Sequence, residues 1–343
     1  LERHTIALMT TRTIEQNKAI SPWRLCIAPM MDWTDRHCRY FHRLMAPDAR
    51  LYTEMVVAQA AIFGDRPRHL GFDAAEHPVA LQLGGSDPNL LAQAAQIGVD
   101  FGYDEINLNC GCPSDRVQAG RFGACLMLEP ELVGDCVAAM RAVVPSSVPV
   151  TVKCRLGVDE HEDEAFFRRF IDTVASAGCC VFIVHARKAW LHGLSPKENR
   201  EIPPLDYARV LRLKADRPDL TVVLNGGLHD TADLQAALST LDGVMLGRAA
   251  YHEPYLLTDW QRALFGAPQP PARAAVLEQL RPYIAAHLAA GGELRHITRH
   301  VLGLYQAAPG ARAFRRTLSE AKGGAGLETL DRALSCVESG VSA

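Results

Sequence analysis

The sequence predicts a (β/α)8 barrel followed by a small C-terminal all-helical domain, and three observations carry that prediction. Eight short β-branched or apolar runs recur with amphipathic stretches between them. A proline- and glycine-rich cluster then interrupts the rhythm, and beyond it only helical periodicity resumes. A chain of 343 residues has room for one barrel of roughly 250 residues and an appendage.

The eight runs lie at 25–28, 51–54, 79–83, 105–109, 150–154, 181–185, 222–225 and 244–246. Amphipathic stretches at 88–97, 130–143, 164–177, 206–213 and 231–239 are spaced as crossover helices, which predicts a parallel sheet. An open doubly wound sheet is the competing architecture. No G-x-G-x-x-G follows the first run, and chemistry-capable residues sit at the ends of many runs, so the closed barrel is preferred. The barrel is assigned to residues 21–265 and a linker, Gly266-Ala267-Pro268-Gln269-Pro270-Pro271, to 266–271. Residues 272–343 form the helical domain, with helices at 276–290, 294–305 and 312–321 and a break at Pro309-Gly310. Residues 1–20 have no periodicity and are read as a tail outside the fold, with Met9 the expected natural start.

Composition narrows the setting. Apolar content of 48% and charged content of 22% are ordinary for a globular chain, and no run is long and apolar enough to cross a bilayer. The first 17 residues lack the apolar stretch of a signal peptide. Ten cysteines occur without a C-x-x-C pair, so reduced thiols in a cytoplasmic protein are expected, with no metal centre and no obligate protein partner. Charge is uneven. From Ala272 onward nine Arg or Lys face six Asp or Glu, a balance of +3 that leaves −6 for the rest of a chain of net charge −3. Between Arg295 and Arg316 there are five arginines and no acid, the kind of stripe that either faces solvent or tracks phosphates.

In a parallel barrel all C-terminal strand ends face one mouth, so polar residues there converge. Here they are Pro29, Met30 and Met31 after the first run, Glu54 after the second, Gln82 in the third, and Asn109 with Cys112 after the fourth. Lys153 lies in the fifth, His185 with Arg187 ends the sixth, Asn225-Gly226-Gly227 ends the seventh, and Gly247-Arg248 follows the eighth. Cys112 stands in a Gly-Cys-Pro turn directly after a strand. A thiol is mostly protonated near neutrality and can give a proton to a carbanion. Cys110, two residues away, reads as a core filler. Glycines after the seventh and eighth strands let backbone N–H groups approach a phosphate, and Arg248 adds charge. Lys153 beneath the body of such a ligand suits a ring that takes up electron density, which points to FMN.

With these residues in view, the chain resembles the tRNA-dihydrouridine synthases. The resemblance rests on Ala28-Pro29-Met30-Met31-Asp32-Trp33-Thr34-Asp35, Tyr52-Thr53-Glu54-Met55, Gln82-Leu83-Gly84-Gly85, Asn107 through Ser114, Val152-Lys153, His185 through Leu191 and Asn225-Gly226-Gly227. The stretch from His185 to Asp206 is similar to the subfamily acting at D-loop positions 20 and 20a. The resemblance implies FMN held by Pro29, Met30, Met31, Gln82, Lys153, His185, Asn225, Gly226, Gly227, Gly247 and Arg248. It further implies NADPH as transient reductant, hydride delivered to C6 of uracil and Cys112 as proton donor to C5. Asn109, Arg187, Lys197, Arg200, Arg312 and Arg315 match positions implied to touch tRNA, the last two inside the acid-free stripe. Two other readings compete. A flavin barrel acting on free pyrimidines, similar to a dihydroorotate dehydrogenase, would not need the basic helices, and a non-catalytic RNA-binding protein would bind no flavin.

Overall fold

The computed structural model describes residues 20–114, 117–118, 120–266 and 269–338; the 1–19 part of the tail, residues 267 and 268 of the linker and residues 339–343 lie outside them. Eight parallel strands close on themselves: β1 (Leu25–Ile27), β2 (Arg50–Tyr52), β3 (Val79–Gly84), β4 (Glu105–Cys110), β5 (Val150–Arg155), β6 (Val181–His185), β7 (Thr221–Asn225) and β8 (Gly243–Leu246). Closure is made where Ile27 of β1 pairs with Leu246 of β8 on one side and Leu51 of β2 on the other. A two-residue strand, Val56–Val57, adds to the outer end of β3 against Leu83 and Gly84, and nothing in the sequence pattern announces it.

Each strand shows the two-residue alternation that a closed sheet requires. Outward residues such as Leu81, Leu108, Val152 and Phe182 pack under the helices, each contributing about 1.5–3 kcal/mol by leaving water. Inward residues Cys26, Tyr52, Ala80, Ile183, Val223 and Met245 fill the barrel axis. The crossover helices Pro88–Asp100, Pro130–Val143, Glu164–Ser176, Tyr207–Asp216 and Thr231–Leu238 follow their strands. Aspartate repeatedly starts them: Asp87, Asp163, Asp206 and Asp230 each accept a hydrogen bond from a first-turn N–H, at 2.9, 2.7, 3.0 and 2.8 Å.

A polar cluster closes the bottom of the barrel. Glu105, at the start of β4 and fully buried, accepts from Tyr52 Oη at 2.7 Å, Thr151 Oγ1 at 2.5 Å and Trp23 Nε1 at 2.8 Å, and pairs with Arg50 at 3.3 Å. A buried carboxylate is tolerable only when its lone pairs are occupied in this way.

Helices Arg273–Ala289, Leu294–Val301, Ala311–Ser319 and Leu327–Glu338 follow the barrel, and the last of these is absent from the sequence-based assignment. The first two dock on Arg36–Met45, another helix that apolar periodicity does not reveal, and the last two pack on them. Tyr283 stacks on Tyr40 at 3.9 Å between centroids, and His37 Nδ1 lies 2.8 Å from Tyr283 Oη. Asp35 caps Arg36–Met45 through His37 N and Cys38 N, both at 3.0 Å, and also receives Arg299 at 2.5 Å and His300 at 3.0 Å. Burial opposes the charge on Asp35, but these bonds outweigh it and hold its pKa below the ordinary value. Asp35→Ala removes cap and docking pair together, so it should lower unfolding free energy by about 2 kcal/mol. A carboxylate with a depressed native pKa gives its full contribution above about pH 4 and loses it as pH falls. Denaturant titrations at pH 7 and at acid pH should therefore show the gap between wild type and variant shrinking with acidification.

Candidate active site

The C-terminal strand ends open into one cavity of about 840 Å³, within the ~300–1,000 Å³ typical of small-molecule sites. Sheet register assembles its wall in tiers. Asn109 of β4 pairs with Lys153 of β5, and one tier higher Arg155, His185, Asn225 and Met245 stand side by side across β5 to β8. Of the residues singled out from sequence, Pro29, Met30, Met31, Gln82, Asn109, Cys112, Lys153, His185, Arg200, Asn225, Gly226, Gly227, Gly247 and Arg248 line this cavity.

Cys112 follows β4 in a turn that is pinned from three sides. Its N–H and that of Gly111 donate to Asn109 Oδ1, both at 3.0 Å; its carbonyl accepts from Ala124 N at 2.9 Å; and Arg155 Nε donates to Gly111 O at 2.8 Å. Its half-buried thiol lies 3.4 Å from Ser114 Oγ. Cys110 points the other way, pairs in register with Cys154, and is fully enclosed in the outer core, where burial raises its pKa well above the usual thiol value.

Lys153 has no carboxylate partner among the described residues. Burial, helped by Arg155, lowers its pKa to about 8. His185 is held neutral by burial and by neighbouring Arg155 and Lys153, and its buried Nδ1 has no hydrogen-bond partner among the described residues. Both groups are complementary to a ligand that brings acceptors and negative charge. Gly226 and Gly227 adopt φ of 108° and 73°, and a Cβ on Gly227 would come within 2.5 Å of Leu205. Only glycine fits there without strain. Gly247 differs, since a Cβ there meets nothing closer than 3.7 Å.

The remaining basic residues divide by partner. Arg248 is paired with Glu201 at 2.5 Å. Arg187 lies outside the cavity and donates to the carbonyls of Pro203 and Glu201, while Lys197 is exposed ahead of the Glu198–Arg200 turn. Arg312 and Arg315 are on Ala311–Ser319, Arg312 exposed and Arg315 bonded to Gln306 at 3.2 Å, away from the cavity.

Three lining residues to which sequence reasoning gave no role are Arg155, Trp33 and His252. Arg155 is 4% exposed, bonded also to Lys188 O at 2.9 Å and Asn199 O at 3.0 Å, and burial lowers its pKa to about 10. Its signal was period two: Thr151, Lys153 and Arg155 share the inward face once β5 is carried one residue further. Trp33, stacked on Tyr251 at 4.4 Å, and His252, edge-on to Trp33 at 4.9 Å, form the opposite rim. Trp33 comes from the turn after β1 and His252 from the short helix Arg248–His252 after β8, whose proximity only the closed barrel reveals.

A family model described as Dihydrouridine synthase (Dus) matches residues 26–337. A curated relative from Xanthomonas campestris pv. campestris, tRNA-dihydrouridine(20/20a) synthase, is 64% identical over 90% of this chain and 92% of its own. Proteins of the same name from Xanthomonas axonopodis pv. citri and Shewanella oneidensis are 60% and 57% identical, covering 94% and 91% of this chain and 96% and 93% of theirs. A solved 2-naphthoyl-CoA reductase complex superposes with a TM-score of 0.55 over 71% of this chain and 50% of that one, at 11% identity, which is likeness of fold alone.

The geometry separates the thiols. Brief iodoacetamide treatment of the native protein with peptide mapping should label Cys112, while Cys110 and Cys154 stay unmodified until the chain is unfolded.

Proposed function

The chain belongs to the dihydrouridine synthase family, and from that premise we propose that it reduces uridine at positions 20/20a of the tRNA D-loop to 5,6-dihydrouridine, with FMN bound and NADPH as transient reductant. One observation carries the reading: a thiol, an unpaired half-buried lysine, a neutral histidine with an orphaned nitrogen and two positive-φ glycines converge in one cavity of cofactor size.

The residues present fit FMN. Gly226, Gly227 and the Gly247-Arg248 turn would offer N–H groups and charge to its phosphate, His185 its free ring nitrogen, and Pro29 to Met31, Gln82, Lys153 and Asn225 would hold the ring. When bound and reduced, FMN supplies the hydride that C6 of uracil accepts. Lys153 stabilises negative charge held by the ring, because an ammonium in a low-dielectric site acts more strongly than one in water. Cys112 gives its proton to C5 on the side its turn presents. Asn109 has one amide N–H left after its bond to Gln82, and that N–H is available to a uracil carbonyl. Lys197, Arg200, Arg312 and Arg315 would meet phosphates, and Arg187 shapes the 201–203 loop beside them. Holding the backbone in this way orients the tRNA so that one base can leave its stack and enter the mouth, at a few kcal/mol. Among the described residues no helix is long and apolar enough to cross a membrane, which is compatible with a cytoplasmic RNA enzyme.

Nucleoside mass spectrometry of tRNA incubated with protein and NADPH should find dihydrouridine at position 20 or 20a. Colourless protein that cannot be reconstituted with FMN would refute the reading. Cys112→Ala should slow single-turnover reduction by about a hundredfold or more, while Cys110→Ala retains it. Equal loss in both would reassign the acid. FMN affinity should fall as pH rises through about 8, because Lys153 is then deprotonated, and Lys153→Met should remove that dependence. Arg312→Ala with Arg315→Ala should raise KM for tRNA and leave FMN affinity unchanged. The salt dependence of tRNA binding should also flatten, by about one unit of log–log slope for each phosphate no longer neutralised.

A further inference from the structure

Between the floor of the barrel and the Cys112 turn runs a continuous column of hydrogen bonds whose direction is determined at both ends. At the top, the N–H groups of Gly111 and Cys112 can only donate, so the atom they reach on Asn109 must be Oδ1. Asn109 Nδ2 then donates to Gln82 Oε1 at 2.8 Å, Gln82 Nε2 to Asn107 Oδ1 at 2.7 Å, and Asn107 Nδ2 to Thr151 Oγ1 at 2.7 Å. The Thr151 hydroxyl is left to donate to Glu105 at 2.5 Å. From the bottom the same direction follows, because Trp23 Nε1 and Arg50 are donors only and Glu105 must accept. Every side chain from Asn109 down to Glu105 is at most 9% exposed, and Thr151, Asn107 and Glu105 are fully buried.

We propose that Thr151 and Glu105, neither of which lines the cavity, are positioning residues for the site: they orient the Gln82 and Asn109 amides and, through Asn109, the backbone of the Cys112 turn. The column leaves one N–H of Gln82 and one of Asn109 uncommitted, so the mouth presents donors to carbonyl-bearing rings. Hydrogen bonds aligned head to tail strengthen one another, and a carboxylate as last acceptor polarises the whole series. This inference rests on the FMN reading for one of its two measurements only.

The test compares Thr151→Val, which keeps the shape and removes the hydroxyl, with Thr151→Ser, which restores it; Thr151→Ala substitutes if the valine variant does not fold. In flavin-free protein, hydrogen exchange over the 109–113 peptide should quicken about tenfold in Thr151→Val and stay near wild type in Thr151→Ser. In reconstituted protein, Thr151→Val should bind FMN about tenfold more weakly and with a shifted flavin absorption band, again rescued by serine. Unchanged exchange in Thr151→Val, or equal impairment in Thr151→Ser, would overturn the proposal. If wild type takes up no FMN, the cofactor reading fails while the exchange measurement still decides the column.

Discussion

Closure of the parallel sheet is the constraint on which the site depends. Once Leu246 pairs with Ile27 and Ile27 with Leu51, no strand can shift by one residue without turning its inward set outward. Register therefore does more than hold the fold. It sets Asn109 beside Lys153 and aligns Arg155, His185, Asn225 and Met245 in one tier, although they are spread over more than a hundred residues of sequence. The hydrophobic outer core supplies the stability that allows the inner face to carry so many polar groups.

Those inner groups are tolerable because they satisfy each other. A closed barrel of eight strands has no room for bulk water along its axis, so Gln82, Asn107, Thr151 and Glu105 must find partners among themselves. Doing so removes the rotational freedom that lone amides would have. The polar interior thereby becomes rigid where an apolar one of the same volume would leave the Cys112 turn held only by Ala124 and Arg155.

Much of this was legible in the sequence, and the exceptions have physical causes. All eight strands announce themselves because strands buried on both sides of a barrel wall must be short and apolar or β-branched. Strand-end residues such as Gln82, Lys153, His185 and Asn225 follow from the same alternation. The helix Arg36–Met45 was hidden because its buried face carries Arg39, His42 and Arg43, with Arg39 held by Glu76 at 2.6 Å and Arg43 by backbone carbonyls, so apolar periodicity fails there. Glu105 read as a strand boundary, since a charged residue at a strand start is ordinarily exposed. The Asp35 pair with Arg299 and His300 joins residues more than 260 positions apart, which no local pattern encodes.

The mouth is also electrically divided, and the division bears on how an anionic ligand must lie. Lys153, Arg155, Arg200 and Arg248 come from β5 through β8 and their loops, where Glu253 lies 3.1 Å from His229 Nε2, whereas Asp32 lines the side built by β1 and β2. Just behind Asp32, Glu54 accepts its N–H at 2.5 Å, and burial, assisted by Asp35 and Asp32, raises the Glu54 pKa. A phosphate would be repelled from the β1–β2 side and drawn toward the glycine turns after β7 and β8. A ring attached to it would then extend back over Lys153 toward Cys112. The same field would bring an RNA backbone to the Arg200 and Lys197 side while leaving the rim of Trp33 and His252 for uncharged, aromatic surface. One charge asymmetry would thus orient the proposed cofactor and the proposed RNA substrate alike, because each carries phosphates at a distance from the ring that reacts.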